Sequence, residues 1–207
     1  MAEALTYDSL VSDIQLYAER SDAPFVTQIP RFIMLAENRL ASEAKGLGFL
    51  KVATDTLSTA TFTKPERWRE TSSLSITTSA GVKFLYSRDY TYCRTYWPDQ
   101  ALTGVPKFYA DYDYTNMLVV PTPDQTYNVE LVYYERPLPL SSLNDTNWTT
   151  QYAPQLLLYA TLLEAQPFLK LPERIAEFQA MYDRALQGLK GEDMSRLSDA
   201  SSNRSEG

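Results

Sequence analysis

Tyrosine is concentrated in one part of the chain, because ten of the fifteen tyrosines lie between residues 86 and 136. At the centre of that stretch two sets of side chains alternate, Lys107, Tyr109 and Asp111 against Phe108, Ala110 and Tyr112. This period of two is typical of a half-buried β-strand. Two further runs of strand character follow at residues 117–120 and 128–134, and turns containing proline separate them. The short connections predict an antiparallel three-stranded meander.

A short helix is predicted directly before the meander, over residues 87–97. Tyr86, Tyr90, Arg94 and Trp97 recur at the spacing of one helical face, and a proline follows. Residues 49–85 have strand-like composition, with apolar side chains separated by polar turns. The middle of the chain is therefore predicted to be a β-sheet with one short aromatic helix attached.

Helices are predicted at both ends of the chain. The first covers residues 6–20, with Thr6 as a possible N-cap, and a second begins near Pro30. Further along, Pro154 opens a helix that is apolar over almost its whole circumference, which indicates a central buried position. A last amphipathic helix covers roughly residues 173–189.

Together these patterns predict an α+β protein, in which an antiparallel helical bundle from both chain ends carries a central antiparallel β-sheet as an insertion. A chain of 207 residues is long enough for one core with such an insertion. Beyond residue 191 the composition is polar, which predicts an extended tail. The predicted parts are an N-terminal helical hairpin (1–48), a β-rich insertion with the short helix (49–146), C-terminal helices that complete the bundle (147–190) and the tail (191–207).

Two features of the composition exclude several kinds of chemistry. The chain has no histidine, which removes the commonest general base near neutral pH and the commonest metal ligand. Cys93 is the one cysteine, so neither an intramolecular disulfide nor a zinc cluster is expected. A His-dependent catalytic triad is therefore impossible, and we predict no catalytic, cofactor-binding or metal-binding residue.

The charge and hydropathy of the chain bear on its partners. A net charge of −7 and a pI near 4.7 argue against tight binding to nucleic-acid phosphates, because such binding needs lysine and arginine to displace counterions. An acidic surface can nevertheless line a passage for DNA, since it repels the polyanion. The apolar runs are too short to span a membrane, and the N-terminus predicts no secretory signal.

Three interpretations of the tyrosine-rich stretch remain open at this point. Arg88 and Arg94 beside tyrosines would suit stacking on nucleic acid, although the acidic chain argues against it. Tyrosine faces with Asp111, Asp113 and Glu135 would suit a carbohydrate-active or carbohydrate-binding protein, although acids that flank a turn are ordinary hairpin residues. A protein interface is favoured, because Trp, Tyr and Arg dominate interface hot spots. The interface candidates in this stretch are Tyr90, Arg94, Trp97, Tyr112 and Tyr114.

Five segments stand out by their order and spacing along the chain. They are IPRFIMLAENRLASEA (29–44), YSRDYTYCRTYWPD (86–99), TGVPKFYADYDYTNMLVVPTPDQTYNVELVYYERP (103–137), NWTTQYAPQLLLYATLLEAQPFLK (147–170) and ERIAEFQAMYDRAL (173–186). In this combination the chain resembles the head-to-tail adaptor proteins of tailed bacteriophages, also called head-completion or connector proteins. The resemblance covers about residues 6–190, and it rests on the order of the segments, because none of them is a catalytic signature.

The resemblance implies a structural protein of the virion neck, made in the host bacterial cytoplasm. Such adaptors form a ring, typically a dodecamer, beneath the portal protein and above the tail nozzle, stopper or terminator protein. During genome ejection the DNA would pass through the ring without specific binding. The C-terminal segment of such adaptors often extends to grip the portal, which by position adds Met194, Arg196, Leu197 and Arg204 to the interface candidates. The alternatives are another neck or tail component, such as a tail terminator or a nozzle protein, and a carbohydrate-binding protein.

Overall fold

A computed structural model describes residues 5–44, 46–170 and 172–202, and for residue 47 and residues 196–202 it describes the backbone. The chain divides into two compact units. The helical unit contains the chain up to Phe49 and again from Arg136 onward, and the sheet unit is the continuous segment Leu50–Glu135. The sheet unit is thus inserted between the two halves of the helical unit.

Seven α-helices are present in the described residues. They are α1 (Tyr7–Ala18), α2 (Ala23–Val26), α3 (Ile29–Glu43), α4 (Tyr90–Tyr96), α5 (Trp148–Tyr152), α6 (Pro154–Leu169) and α7 (Ile175–Ser202). Single 3-10 turns cover Leu47–Phe49 and Pro172–Arg174. All the helices except α4 belong to the helical unit.

The helical unit begins with a capping box and is built around α6. The Thr6 hydroxyl accepts a hydrogen bond from the Ser9 backbone N–H (3.2 Å), and the Ser9 hydroxyl accepts one from the Thr6 backbone N–H (2.8 Å). This confirms Thr6 as the N-cap of α1.

Leu157 and Leu162, both fully buried, lie at different angles around α6, which confirms that this helix is central.

A buried carboxylate, Glu37 on α3, connects that helix to the loop before α5. Both of its oxygens accept from the Leu140 backbone N–H (3.2 Å), and Oε1 also accepts from Asn147 Nδ2 (2.8 Å). Asn147 in turn caps α5 by accepting from the backbone N–H groups of Thr149 and Thr150. Burial raises the pKa of Glu37 from 4.5 to about 7, while the hydrogen bonds from Leu140 and Asn147 act in the opposite direction.

Helix α7 continues to Ser202, whereas the sequence predicted an extended tail from residue 191. The expectation used the lack of core residues, but a helix also forms where Lys, Glu, Met and Ala have favourable propensities and no proline intervenes. Within this part the Ser195 hydroxyl donates to the Gly191 carbonyl (3.1 Å). From residue 187 to 195 most side chains are exposed, so this length of α7 packs against little of the described chain.

The sheet unit contains nine strands. They are β1 (Leu50–Leu57), β2 (Thr61–Thr63), β3 (Trp68–Thr78), β4 (Gly81–Ser87), β5 (Thr103–Gly104), β6 (Phe108–Asp111), β7 (Asn116–Val120), β8 (Thr122–Pro123) and β9 (Tyr127–Glu135). Seven of them form one sheet in the order β1-β9-β3-β4-β6-β7-β2, and β5 pairs with β8. β9 lies between β1 and β3 and is antiparallel to both. β4 and β6 are parallel, so the large sheet is mixed.

The predicted fold class is wrong in its architecture, although α+β describes the chain. The structure has a large mixed seven-stranded sheet with helices, rather than an antiparallel helical bundle carrying an antiparallel sheet. The predicted meander is also wrong, because β6 and β7 are neighbours while β9 pairs with β1 and β3. Alternation of side chains identifies a strand, but it does not identify a partner that lies far away in sequence.

One face of the large sheet is buried and the opposite face is partly covered. Side chains of the inner face include Leu74, Ile76, Leu85, Val129 and Leu131. On the outer face, α4 covers β6 and β7 through a small cluster formed by Cys93, Ala110, Leu118 and Val120. Next to α4, the outer side chains of β4 stay exposed. The sheet therefore carries an aromatic helix beside an uncovered strand.

Candidate interaction surface

Helix α4 is short because a cap and a proline limit it. The Asp89 carboxylate accepts a hydrogen bond from the Tyr92 backbone N–H (2.8 Å) and caps the start of the helix. Trp97 is the C-cap residue, and Pro98 follows it directly. Side chains four residues apart lie on the same side of a helix, so α4 displays two separate aromatic groups.

The first tyrosine–arginine group consists of Tyr90, Arg94 and Tyr112. Arg94 Nε donates to the Tyr90 hydroxyl (3.1 Å), and the guanidinium lies 5.2 Å from the Tyr90 ring centroid and 5.9 Å from that of Tyr112. The two rings are 5.9 Å apart and both are exposed. Arg94 Nη1 is buried and has no hydrogen-bond partner among the described residues. Three residues predicted from the sequence are thus brought together.

The second tyrosine–arginine group consists of Arg88, Tyr92, Tyr96 and Phe108. The Tyr92 and Tyr96 rings are stacked, with their centroids 6.2 Å apart. The Phe108 ring is nearly perpendicular to both, and its centroid lies 5.4 Å from that of Tyr92 and 5.0 Å from that of Tyr96. The Arg88 guanidinium lies 5.4 Å from the Tyr92 centroid and 5.8 Å from that of Phe108. Tyr96 and Phe108 were missed as candidates. Tyr92 and Tyr96 are four residues apart, so the helical period could have predicted that they lie together. Phe108 belongs to β6, and its position in the group could not be predicted from spacing.

The side of α4 that faces the sheet is packed. Trp97, an interface candidate, is half-buried against the small cluster around Cys93, and its Nε1 donates to the Leu102 carbonyl (3.1 Å). Cys93 is fully buried, and burial raises the pKa of its thiol, with a further increase from Asp89. A buried thiol with a raised pKa stays protonated near neutral pH, so Cys93 is a packing residue rather than a nucleophile.

The comparison with protein families decides what kind of protein presents this surface. A family model described as the SU10 adaptor protein matches residues 5–205. The chain belongs to the SU10 adaptor protein family. This membership confirms the resemblance to phage adaptors and identifies a bacteriophage protein. No curated protein matches the chain.

Two further interface candidates of this SU10 adaptor family member have exposed side chains in other elements. Tyr114 is 80% exposed in the turn between β6 and β7. Met194 is 72% exposed on α7 in the helical unit. For Arg196 and Leu197 the structure describes the backbone as part of α7, and Arg204 lies outside the described residues. The structure therefore brings Tyr90, Arg94 and Tyr112 together.

The three carboxylates considered for a carbohydrate-active site each have a separate structural role. Asp113 accepts from the backbone N–H groups of Thr115 and Asn116 (2.7 Å each) and stabilises the turn before β7. The Asn116 side chain and these backbone groups lower the pKa of Asp113 to about 2. Asp111 pairs with Lys64 (3.0 Å), and Glu135 pairs with Arg67 (2.7 Å).

The described residues of this family member offer no metal site and no membrane span. No group of three or more Asp, Glu or Cys side chains among them is placed to hold a metal ion. None of the helices in the described ranges is both long and apolar enough to cross a membrane. The candidate site is the α4 surface, where the exposed rings of Tyr90 and Tyr112 lie beside Arg94.

Proposed function

We propose that the protein is a non-enzymatic structural component of the phage neck, which forms a ring between the portal and the tail and continues the DNA channel. Membership of a phage adaptor family supports the part of this proposal that makes the protein a component of the virion. In this proposal the ring is a dodecamer, as the resemblance implies, with the portal above it and a nozzle, stopper or terminator protein below. The observation that carries the proposal is the exposed α4 surface with its two tyrosine–arginine groups.

The composition of the α4 surface suits an interface better than a solvated surface. Tyrosine supplies a large contact area with few rotatable bonds, and arginine supplies several donors in a fixed plane. In both groups the guanidinium is already stacked on aromatic rings, so little side-chain entropy is lost when a partner binds.

The charge of the chain suits a conduit for DNA. A net charge of −7 gives the ring an overall negative field, which repels the phosphate backbone. DNA would therefore pass without the long-lived contacts that arginine-rich and lysine-rich surfaces make. The proposal includes no specific binding to DNA.

The first test is association with the portal ring of the same virus, measured by size-exclusion chromatography with light scattering. The full chain at micromolar concentration should co-migrate with the portal and give the mass of a ring bound to it. A protein that always elutes separately from the portal would refute the neck assignment. Binding to a tail component instead would favour the tail terminator or nozzle interpretation.

The second test links the association to the α4 surface. The double variant Tyr90→Ala with Arg94→Ala should weaken the complex about 30-fold, which corresponds to the loss of about 2 kcal/mol at an interface hot spot. Arg20→Ala is the matched control, because Arg20 makes the same kind of contact over Phe25 (5.5 Å) in the helical unit. Circular dichroism verifies that both variants are folded. Equal binding by the double variant and the wild type would show that α4 is not the contact.

The carbohydrate interpretation has less support from the geometry. A glycosidase needs one carboxyl group that holds a proton near neutral pH, whereas the pKa of Asp113 is lowered to about 2. Asp111 and Glu135 are each committed to a separate ion pair. Replacing Asp111 and Asp113 with asparagine should therefore leave association with the portal nearly unchanged.

A further inference from the structure

The large sheet has an open stretch in its interior, along β4. β4 pairs with β3 from Gly81 to Leu85, but it meets β6 only at Tyr86 and Ser87. On the β6 side, the backbone of Gly81–Leu85 therefore has no strand beside it among the described residues. The Tyr86 backbone N–H donates to the Lys107 carbonyl (3.0 Å), so even-numbered residues of β4 point their backbone groups away from β3. Val82 and Phe84 thus direct theirs to the open side.

The same stretch of β4 exposes apolar side chains. Val82 is 64% exposed, Phe84 56% and Tyr86 65%. Their alternation places all three on the outer face, next to the second tyrosine–arginine group. An open strand edge with a row of exposed apolar side chains is a template for pairing with another strand.

A second open edge lies at β1, the first strand in the order of the sheet. Phe84 faces Ser75 on β3, Ser75 faces Glu130 on β9, and Glu130 faces Thr54 on β1. Because the hydrogen-bonding phase alternates across an antiparallel sheet, even-numbered residues of β1 point their backbone groups outward, as those of β4 do. One of these outward groups, the Thr56 backbone N–H, donates to the Asp55 side chain (2.7 Å). Val52, in this even set, is 62% exposed. β2, the strand at the other end, has three residues and offers a much shorter edge.

We propose that the open stretch of β4 pairs antiparallel with β1 of a second copy of this chain, so that one sheet continues from subunit to subunit. The inference rests on the proposed ring, because a closed ring needs two different surfaces on each subunit that fit each other. β1 and β4 are two such surfaces on one chain.

Alternation restricts the pairing to one orientation. In an antiparallel pair, residues directly opposite each other lie on the same face and have the same hydrogen-bonding phase. Phe84 and Thr54 both point their backbone groups outward, so they form an allowed pair. With Phe84 opposite Thr54, an aromatic side chain faces a β-branched one, and Val82 lies opposite Thr56. A parallel arrangement would place outer-face residues next to inner-face residues and break the continuity of the faces.

The same register gives the contact complementary charge. It places Lys83 of one copy opposite Asp55 of the next, and opposite charges at facing positions stabilise a strand pair. In the free chain the Asp55 carboxylate accepts the outward N–H of Thr56. A Lys83 partner would draw Asp55 away and free that N–H for the Val82 carbonyl. This charge match is the reason to assign the edge to a second copy.

Charge reversal on either side of the pair tests the proposal, with the mass of the complex formed on the portal ring as the readout. Lys83→Asp alone and Asp55→Lys alone should each raise the concentration for half-assembly about fivefold or more, because attraction becomes repulsion. The double variant, which restores opposite charges, should return to within about twofold of wild type. Glu130→Lys is the matched control, because Glu130 is an exposed acid on the central strand β9.

The outcomes separate this inference from the proposed function. Single reversals that assemble like wild type would overturn the strand pairing and leave the ring intact. Single reversals that fail, with a double variant that is not rescued, would mean that these edges bind a different protein, which also overturns it. A wild-type chain that never associates with the portal would remove the proposed function itself.

A backbone variant tests the hydrogen bonds independently of charge. Phe84→Pro removes an outward N–H that β3 does not use, and proline is tolerated at strand edges of this kind. It should abolish assembly while the circular dichroism spectrum stays that of the wild type. Normal assembly of a folded Phe84→Pro protein would contradict the pairing. If that variant does not fold, the charge-reversal pair alone decides.

Discussion

Replacing Glu37 with glutamine should make the protein more stable above pH 7, although the change removes an ionisable group from a hydrogen-bonded site. The Glu37 side chain is 7% exposed, and burial raises its pKa from 4.5 to about 7. Between these two pH values the folded chain keeps the proton while the unfolded chain has released it. The contribution of Glu37 to the free energy of unfolding is therefore fully present below pH 4.5, and it is lost as the pH rises through about 7.

The size of the effect follows from the same shift. One pKa unit corresponds to about 1.4 kcal/mol, so the change from 4.5 to about 7 gives a loss of at most about 3 kcal/mol. Glutamine keeps one acceptor oxygen, whose two lone pairs can accept from Leu140 and Asn147, and it carries no charge, so the stability of the variant should vary much less with pH. At pH 8 the variant should exceed the wild type by about 2 to 3 kcal/mol, and at pH 5 the two should be close.

Urea unfolding at pH 5, 6, 7 and 8, followed by circular dichroism, measures this difference. The pKa of Asp113 is about 2 and those of Glu19 and Asp22 are lowered, so these groups add little pH dependence in that range. Glu177→Gln is the control, because Glu177 is an exposed acid on α7 in the same unit. Parallel pH profiles for the wild type and Glu37→Gln would refute the raised pKa of the buried carboxylate.

Two further predictions concern single sites in the two units. Gly48→Ala should destabilise the protein by about 1 to 3 kcal/mol in urea unfolding, because an added Cβ would lie 2.0 Å from the Trp148 ring; an unchanged midpoint would mean that the ring moves freely aside. Asp113→Asn should weaken the turn at neutral pH. Its difference from wild type should shrink as the pH falls from 3.8 toward 2, because the lowered pKa makes the stabilisation present above the unfolded value and lost below the folded one. A difference in thermal midpoint that stays constant from pH 5 to pH 2 would contradict this role.

Local features of the fold could be predicted from the sequence, because they depend on neighbouring residues. The Thr6 cap and the start of α6 at Pro154 follow from residue preferences at helix ends, and the structure has both. The position of β9 between β1 and β3 could not be predicted this way. Its partners lie more than fifty residues earlier in the chain, and every strand with the same alternation is an equally good candidate.

The candidate site was predictable only where it lies within one helix. Tyr90 and Arg94 are four residues apart, so the helical period brings them together. Tyr112 joins them from the end of β6, which only the tertiary fold can show. Trp97 was predicted at the interface for the same reason as the tyrosines, but it is half-buried against the small cluster around Cys93. Residue type alone does not separate an interface aromatic from one that packs within the fold.

The two unlike edges of the sheet have a consequence for the order of events in assembly. Two subunits joined through one β4–β1 contact still have one unpaired edge of each kind. Every open chain of subunits therefore has the same two ends as a single subunit, and growth stops only when the last subunit meets the first. All subunits must then follow one another in the same direction around the axis.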